Sequence, residues 1–199
     1  MINTITALAK KALKADKIRA MHDSQWYANS GAWCALLDAD YSLTPGTTAG
    51  YIAALSPMNS WESQLLYTPP SIAACLALIK AGHAPHSGIR GSGFFSNRDK
   101  ACRILMGEKP LEVLGGDKVT RFFRNLTGDF DCVTIDRHAL AIAGWKKSLT
   151  SNAYSRIEFA FRMAGKRLEM TGAEVQAMTW CYWRRNHSAH SKHNQAKGF

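Results

Sequence analysis

Between Tyr154 and Leu168 the apolar residues Tyr154, Ile157, Phe161, Ala164 and Leu168 recur at intervals of three and four. This is the period of a helix with one buried face. Alternation of apolar and polar residues, the mark of a half-buried strand, is scarce elsewhere in the chain, so helices are what it has to build with. Thr171 and Glu174 form a capping box that opens a last helix, read through Trp183. Val119, Phe122, Phe123 and Leu126 repeat the helical spacing from Lys118 onward until Gly128 stops it. Thr68 ahead of Pro69 and Pro70 reads as the start of a helix ending at Gly82. Ser96 with Asp99 reads as the start of another that ends at Gly107. Residues 83–93, HAPHSGIRGSG, read as the main interior loop, and the stretch from Arg184, without periodicity, as a frayed basic end. The fold class expected is all-α.

The 199 residues suffice for one domain or for two small lobes, and exclude a modular enzyme. With 46% apolar and 20% charged residues, a folded core is expected. No apolar run approaches the roughly 18 residues of a membrane helix, and the opening MINTITALAKKALKADK lacks an apolar block with a cleavage site. No membrane partner is expected. Five cysteines, odd in number and without a CxxC pair, signal no disulfide framework, zinc site or iron–sulfur site. No metal and no cofactor are therefore expected, and reduced thiols suit a cytoplasmic, monomeric protein. The charge does discriminate: 25 Lys and Arg against 15 Asp and Glu, with 16 against nine of them in residues 101–199. Such an excess favours a polyanionic partner, above all DNA.

Chemistry concentrates in residues 111–144, LEVLGGDKVTRFFRNLTGDFDCVTIDRHALAIAG. The pattern is helix, Gly-Gly turn, helix, short loop, then an acid opening another helix. Gly115 and Gly116 allow a turn with φ above zero and leave amide groups unobstructed, so a phosphate could dock at the next helix's positive end. Arg121 and Arg124, a turn apart on that helix, could extend the contact to neighbouring phosphates. Lys118 falls in the first turn, where dipole and desolvation favour the free amine, a nucleophile. Asp136, 18 residues later, falls at the N-cap of RHALAIAG. An amine and a carboxylate are the groups that cleave an N-glycosidic bond: one captures C1′, the other stabilises positive charge on the sugar.

These residues resemble the helix-hairpin-helix DNA glycosylase superfamily, in its endonuclease III-like branch. GGDKVT is similar to the hairpin with its catalytic lysine, and VTIDRHALAI to the segment with the catalytic aspartate. GFFSNRDKACRIL resembles the helix start before the hairpin, and AALSPMNSW the segment that fills the gap left by a flipped base. The resemblance covers roughly residues 50–144. It implies a two-lobed fold: a hairpin lobe over 46–135, a second lobe of 1–45 with 136–183, and a basic tail over 184–199. It also implies Lys118 as Schiff-base nucleophile, Asp136 as electrostatic partner, Gly115 and Gly116 as phosphate-binding turn, and Met58 and Asn59 as wedge or pocket residues. The iron–sulfur cysteines of endonuclease III have no counterpart, and the glycines stand adjacent where the usual hairpin has one residue between them. The chain is also similar to phage-encoded glycosylase-like proteins proposed to act in thymidine hypermodification.

Three functions follow as expectations. The first is a DNA glycosylase, with AP lyase activity, excising a flipped damaged or modified base. The second is a phage transferase that alters a modified pyrimidine while leaving its glycosidic bond intact. The third is a noncatalytic DNA-binding module. Each residue also has a plainer reading: Asp136 as an ordinary N-cap, Lys118 as a solvated cation, His138 as a satisfied helix histidine. Trp61, Trp180 and Trp183 read as packing residues before they read as base-stacking ones.

Overall fold

The computed structural model describes residues 1–57, 59–91 and 93–195, with side chains through residue 187. Met58, one of the two expected wedge residues, lies outside the described residues. The helices in chain order are α1 (Ile2–Ala15), α2 (Lys17–Ser24), α3 (Trp26–Asp40), α4 (Thr47–Leu55), α5 (Trp61–Lys80), α6 (Phe95–Leu105), α7 (Pro110–Val113), α8 (Asp117–Leu126), α9 (Arg137–Ile142), α10 (Ser151–Lys166) and α11 (Gly172–Gln195). A 3-10 turn, Pro85–Gly88, lies between α5 and α6. No strand occurs among the described residues, so the protein is all-α. Nor is any described helix long and apolar enough to cross a membrane.

The chain divides into a terminal unit, Met1–Asn29 with Gly128–Phe199, and an inner unit, Ser30–Thr127. The sequence reading set the inner boundaries at 46 and 135, and both differ for a physical reason. Residues 30–45 are tied to α4: the buried carboxylate of Asp38 on α3 accepts the N–H groups of Gly46 and Thr48, both at 2.7 Å. It thus serves as a cap from a distance for a helix whose own N-cap, Gly46, has no side chain to offer. Residues 133–135 are tied to α10. Glu158 accepts the Val133 N–H at 2.8 Å, while the Tyr154 phenol donates to Val133 O and accepts from Ile135 N–H, each at 2.9 Å. A buried extended segment without a strand partner is satisfied by side chains instead.

In the terminal unit the apolar stripe of α10 meets α1 and α11 around Ile5, Ile157, Phe161 and Met178, all at 0% exposure. Each contributes about 1.5–3 kcal/mol of burial. The capping box forms as expected, with Glu174 N–H donating to Thr171 Oγ1 at 3.2 Å and Thr171 N–H to Glu174 Oε2 at 2.7 Å. Past Trp183 the helix does not fray, however. It continues to Gln195, with Arg185 held by Asp23 at 2.5 Å.

Two further expectations are corrected in the inner unit. α5 starts at Trp61, capped by Ser60, and runs straight through Pro69 and Pro70. Thr68 does not cap it, since its hydroxyl donates to Gln64 Oε1 at 3.2 Å. The prolines leave the carbonyls of Leu65 and Leu66 without their usual donors, but both residues are exposed and water can serve them. α6 begins after Phe94 with no side-chain cap, and Asp99 faces His86 at 3.4 Å instead of closing a box. The expected loop does join α5 to α6, and its described residues are tied down: Ile89 is buried and the Cys75 thiol donates to Pro85 O at 3.2 Å. α4, buried at all nine positions, is the central helix of this unit. All five cysteines are free thiols. Burial pushes Cys34 and Cys102 up to about 12, and Cys75 and Cys181 up to about 11.

Candidate functional site

The hairpin lies wholly in the inner unit. Pro110 opens α7, Leu114 closes it, and Gly115 and Gly116 lead into α8. Only Gly116 takes positive φ, +81°, and a Cβ there would meet open space but strained backbone. Gly116 offers no side-chain cap, so the first N–H groups of α8 are open to an outside acceptor. Lys118 is half-buried in that first turn. Lys100 adds a second cation, its Nζ 3.7 Å from where a Gly115 Cβ would stand. Arg124 is exposed. The Arg121 guanidinium pairs with Asp117 at 2.9 Å on the same helix.

Asp136 belongs to the terminal unit, where the segment pinned by Tyr154 and Glu158 delivers it to the start of α9. One carboxylate oxygen accepts the Ala139 N–H at 2.8 Å, the capping bond; the other accepts the Trp180 indole N–H at 2.9 Å. Around this pair stand His138, edge-on to Trp180 with ring centroids 5.9 Å apart, and Arg184, 4.7 Å above the Trp180 ring. His187 stacks on Trp183 at 3.6 Å. Trp180, Trp183, Arg184 and His187 share one face of α11, at offsets of three, four and seven. The result is a face of indoles and cations with a carboxylate at its edge, the composition that stacks and screens nucleic acid. Trp180 and Trp183 also pack against the core, in line with their plainer reading.

Asn59 joins neither group. It lines a space between α4 and α5 with Tyr51, Ser63, Gln64, Tyr67 and Arg90, all of the inner unit. Its side-chain amide donates to Leu55 O at 2.8 Å. Among the described residues, no cluster of His, Cys, Asp and Glu is suited to hold a metal ion.

The model of a family described as of unknown function, DUF7178, matches residues 1–187. The chain belongs to that family. No curated protein and no solved structure matches it. The DUF7178 match takes in the hairpin, Asp136 with its neighbours on α11, and the space around Asn59 alike.

Within this DUF7178 chain the sequence reading missed the partners of its own candidates. In the sequence Tyr154 reads as part of an apolar stripe and Trp180 as a packing or base-stacking residue, and nothing local marks the phenol or the indole N–H as a partner. Gln64 had a signal: Asn59, Ser63, Tyr67 and Ser71 recur every four residues, with Gln64 and Thr68 beside them, a polar seam along an otherwise apolar helix.

His138 carries a pH dependence. Burial, then the charges of Arg137, Arg184 and His187, lower its pKa below the ordinary 6.5, with Asp136 opposing. The unfolded chain therefore takes up this proton more readily than the fold. The stability held by neutral His138 is complete above about 6.5 and falls as pH drops through that value to the lower, folded pKa. His138→Gln is expected to flatten the acid side of the urea-midpoint profile. An unchanged profile would contradict this.

Proposed function

We propose that this DUF7178 protein is a DNA glycosylase with the two-lobed helix-hairpin-helix fold, excising a flipped damaged or modified base from DNA, with AP lyase activity following. One observation carries the reading. Lys118 stands in the first turn of α8, directly after a glycine of positive φ, and Asp136 stands at the start of α9, each at a helix N-terminus. The glycosylase superfamily carries its lysine and aspartate in this order and at this spacing. Charge supports the partner: the terminal unit has 16 Lys and Arg against eight Asp and Glu, the inner unit nine against seven.

In this reaction the free amine of Lys118 adds to C1′ as the C1′–N bond breaks. The base leaves with the electron pair and takes a proton from water. Opening of the sugar at O4′ gives a protonated Schiff base, and loss of a C2′ proton then expels the 3′ phosphate and nicks the strand. Asp136 stabilises the positive charge that builds on the sugar. Borohydride, which reduces the Schiff base to a stable amine, is expected to link the protein to lesion-bearing DNA, and Lys118→Ala to abolish the adduct. No adduct across a broad panel of lesions, or equal trapping by Lys118→Ala, would remove the lysine step.

A second reading has its own support: both carboxylate oxygens of Asp136 already serve α9 and Trp180, as in a DNA-binding module without catalysis. It expects no free base from any substrate, and binding whose salt dependence flattens when Arg124 is removed. Nucleoside mass spectrometry separates both from the transferase, which would leave a new nucleoside with its glycosidic bond intact.

A further inference from the structure

α5 carries charge only at its two ends. Glu62 stands in its first turn and Lys80 is its last residue, and no residue from Ser63 to Ile79 is charged. Their separation of 18 residues is five full turns, so the two charges share one face. The opposite face, with Gln64, Thr68, Ser71, Ile72 and Cys75, is buried in the inner unit. The face between the charges is apolar and open: Leu66 is 64% and Leu65 43% exposed, and Ala73 and Ala77 continue the row. α3 widens it. The Tyr41 hydroxyl donates to Pro69 O at 3.0 Å, and Trp33 meets Trp61 edge-on with ring centroids 5.7 Å apart. Both pairs are 28 residues apart, so the two helices lie side by side and parallel, with Leu36 of α3, 63% exposed, on the outer side. Exposed apolar area of this extent marks an interaction surface. Its charge narrows the occupant. Residues 20–79 hold none of the chain's 25 Lys and Arg, so a polyanion finds little to bind here. Two copies of a chain of net charge +10 repel, and least where cations are missing.

We propose that the outer face of α5, flanked by α3, pairs two copies of this chain about a two-fold axis, with the two α5 helices antiparallel. Such an axis sets one patch against itself, so what stands at one end of the helix meets what stands at the other. With the crossing near Ser71, midway between the charges, Glu62 of each copy lies opposite Lys80 of the other, and the uncharged rows close on each other. A shallow crossing of about 20° keeps the helices in contact along their length. A parallel pairing would instead set like charge on like charge at both ends. The 20 residues of α5 span about 30 Å, and with α3 alongside the face is about 20 Å wide, of the order of the roughly 800 Å² per partner that a specific interface buries. The carbonyls of Leu65 and Leu66 that the prolines leave open keep their water, trapped as at other interfaces. A dimer thus replaces the monomer expected from the sequence. It uses neither Lys118 nor Asp136, so it stands or falls apart from the excision chemistry.

Sedimentation equilibrium of the full chain, freed of nucleic acid and run from about 1 to 200 μM, tests this. The mass is expected to rise with concentration from the 22.0 kDa of one chain toward twice that value and no further. Leu66→Lys, at an exposed position that the fold does not need, is expected to weaken pairing about tenfold or more while the helical circular dichroism is unchanged. Ile18→Lys is the control: Ile18 on α2 is 87% exposed but lies outside the proposed face, and this variant is expected to pair as the unmodified chain does. Lys80→Glu sets acid against acid at both ends and is expected to weaken pairing about threefold or more. The double exchange Glu62→Lys with Lys80→Glu restores opposite charges only in an antiparallel pair, and is expected to return to within about twofold of the unmodified chain. A single-chain mass at every concentration would overturn the proposal, and so would a Leu66→Lys variant that pairs unchanged or an Ile18→Lys variant that fails equally. A double exchange no better than Lys80→Glu alone would overturn the antiparallel arrangement.

Discussion

Replacing Gly31 by alanine is expected to destabilise the inner unit by about 3 kcal/mol, the upper range for overpacking. Gly31 lies inside α3, and in a free helix this exchange would stabilise by about 1 kcal/mol. The sign reverses because a Cβ at this position would stand 2.3 Å from the carbonyl oxygen of Leu126 and 3.2 Å from its carbon. Those are backbone atoms at the end of α8, so relief requires moving one helix off the other rather than turning a side chain. The displaced helix is the one that carries Lys118. Urea unfolding of the full chain, followed by circular dichroism, should show a lowered midpoint. Gly115→Ala is the matched control, because its Cβ would meet only the far end of Lys100 at 3.7 Å; it is expected to change stability by under about 0.5 kcal/mol. A stabilised Gly31→Ala would mean that the close approach of α3 to α8 does not exist.

Asp136→Ala carries the second large effect, on stability and reaction together. The substitution removes the acceptor for the Ala139 N–H and for the Trp180 indole N–H at once. Loss of a cap costs about 1 kcal/mol, and a donor left unpaired in a partly buried place about 1–3 kcal/mol, so a total of about 2–4 kcal/mol is expected in urea unfolding. Asp136→Asn separates structure from chemistry. Its amide oxygen can keep the Ala139 bond, while its NH₂ turns a donor toward the indole, so a loss of about 1 kcal/mol is expected. Under the proposed glycosylase reaction the same variant loses base release by about a hundredfold or more, because the charge opposite the sugar is gone. DNA affinity should barely change. An Asp136→Asn protein that still releases base at the normal rate would leave Asp136 a cap and nothing further.

The elements that could be read from the sequence share one property: their signal and its cause lie within about four residues. Asp136 capping α9, the Thr171–Glu174 box and the stripe of α10 are all bonds or contacts between near neighbours. So is Gly128, with φ of +93° just past α8. The elements that could not be read draw their cause from farther away. α4 has no polar face to betray it, being buried all round, and its N–H groups are met by Asp38 from the preceding helix. α5 contradicts the local rule that prolines start helices, because exposed Leu65 and Leu66 let water replace the missing donors. Residues Val133 to Ile135 look like a strand without a partner until Tyr154 and Glu158, about 20 residues on, are seen to hold their backbone.

The candidate groups divide in the same way. Sequence alone determined that the chain is helical, that it carries an excess of positive charge in its second half, and that Lys118 and Asp136 each open a helix, since caps, periods and charge counts are properties of short stretches. Tertiary structure alone decided which side chains those groups touch. It gave Asp136 the Trp180 indole, gave the start of α4 the carboxylate of Asp38, and gave the backbone of Val133 and Ile135 the phenol of Tyr154. Hydrogen bonds and steric contact act over a few ångströms in space whatever the separation along the chain, and only folding sets which residues come within that reach.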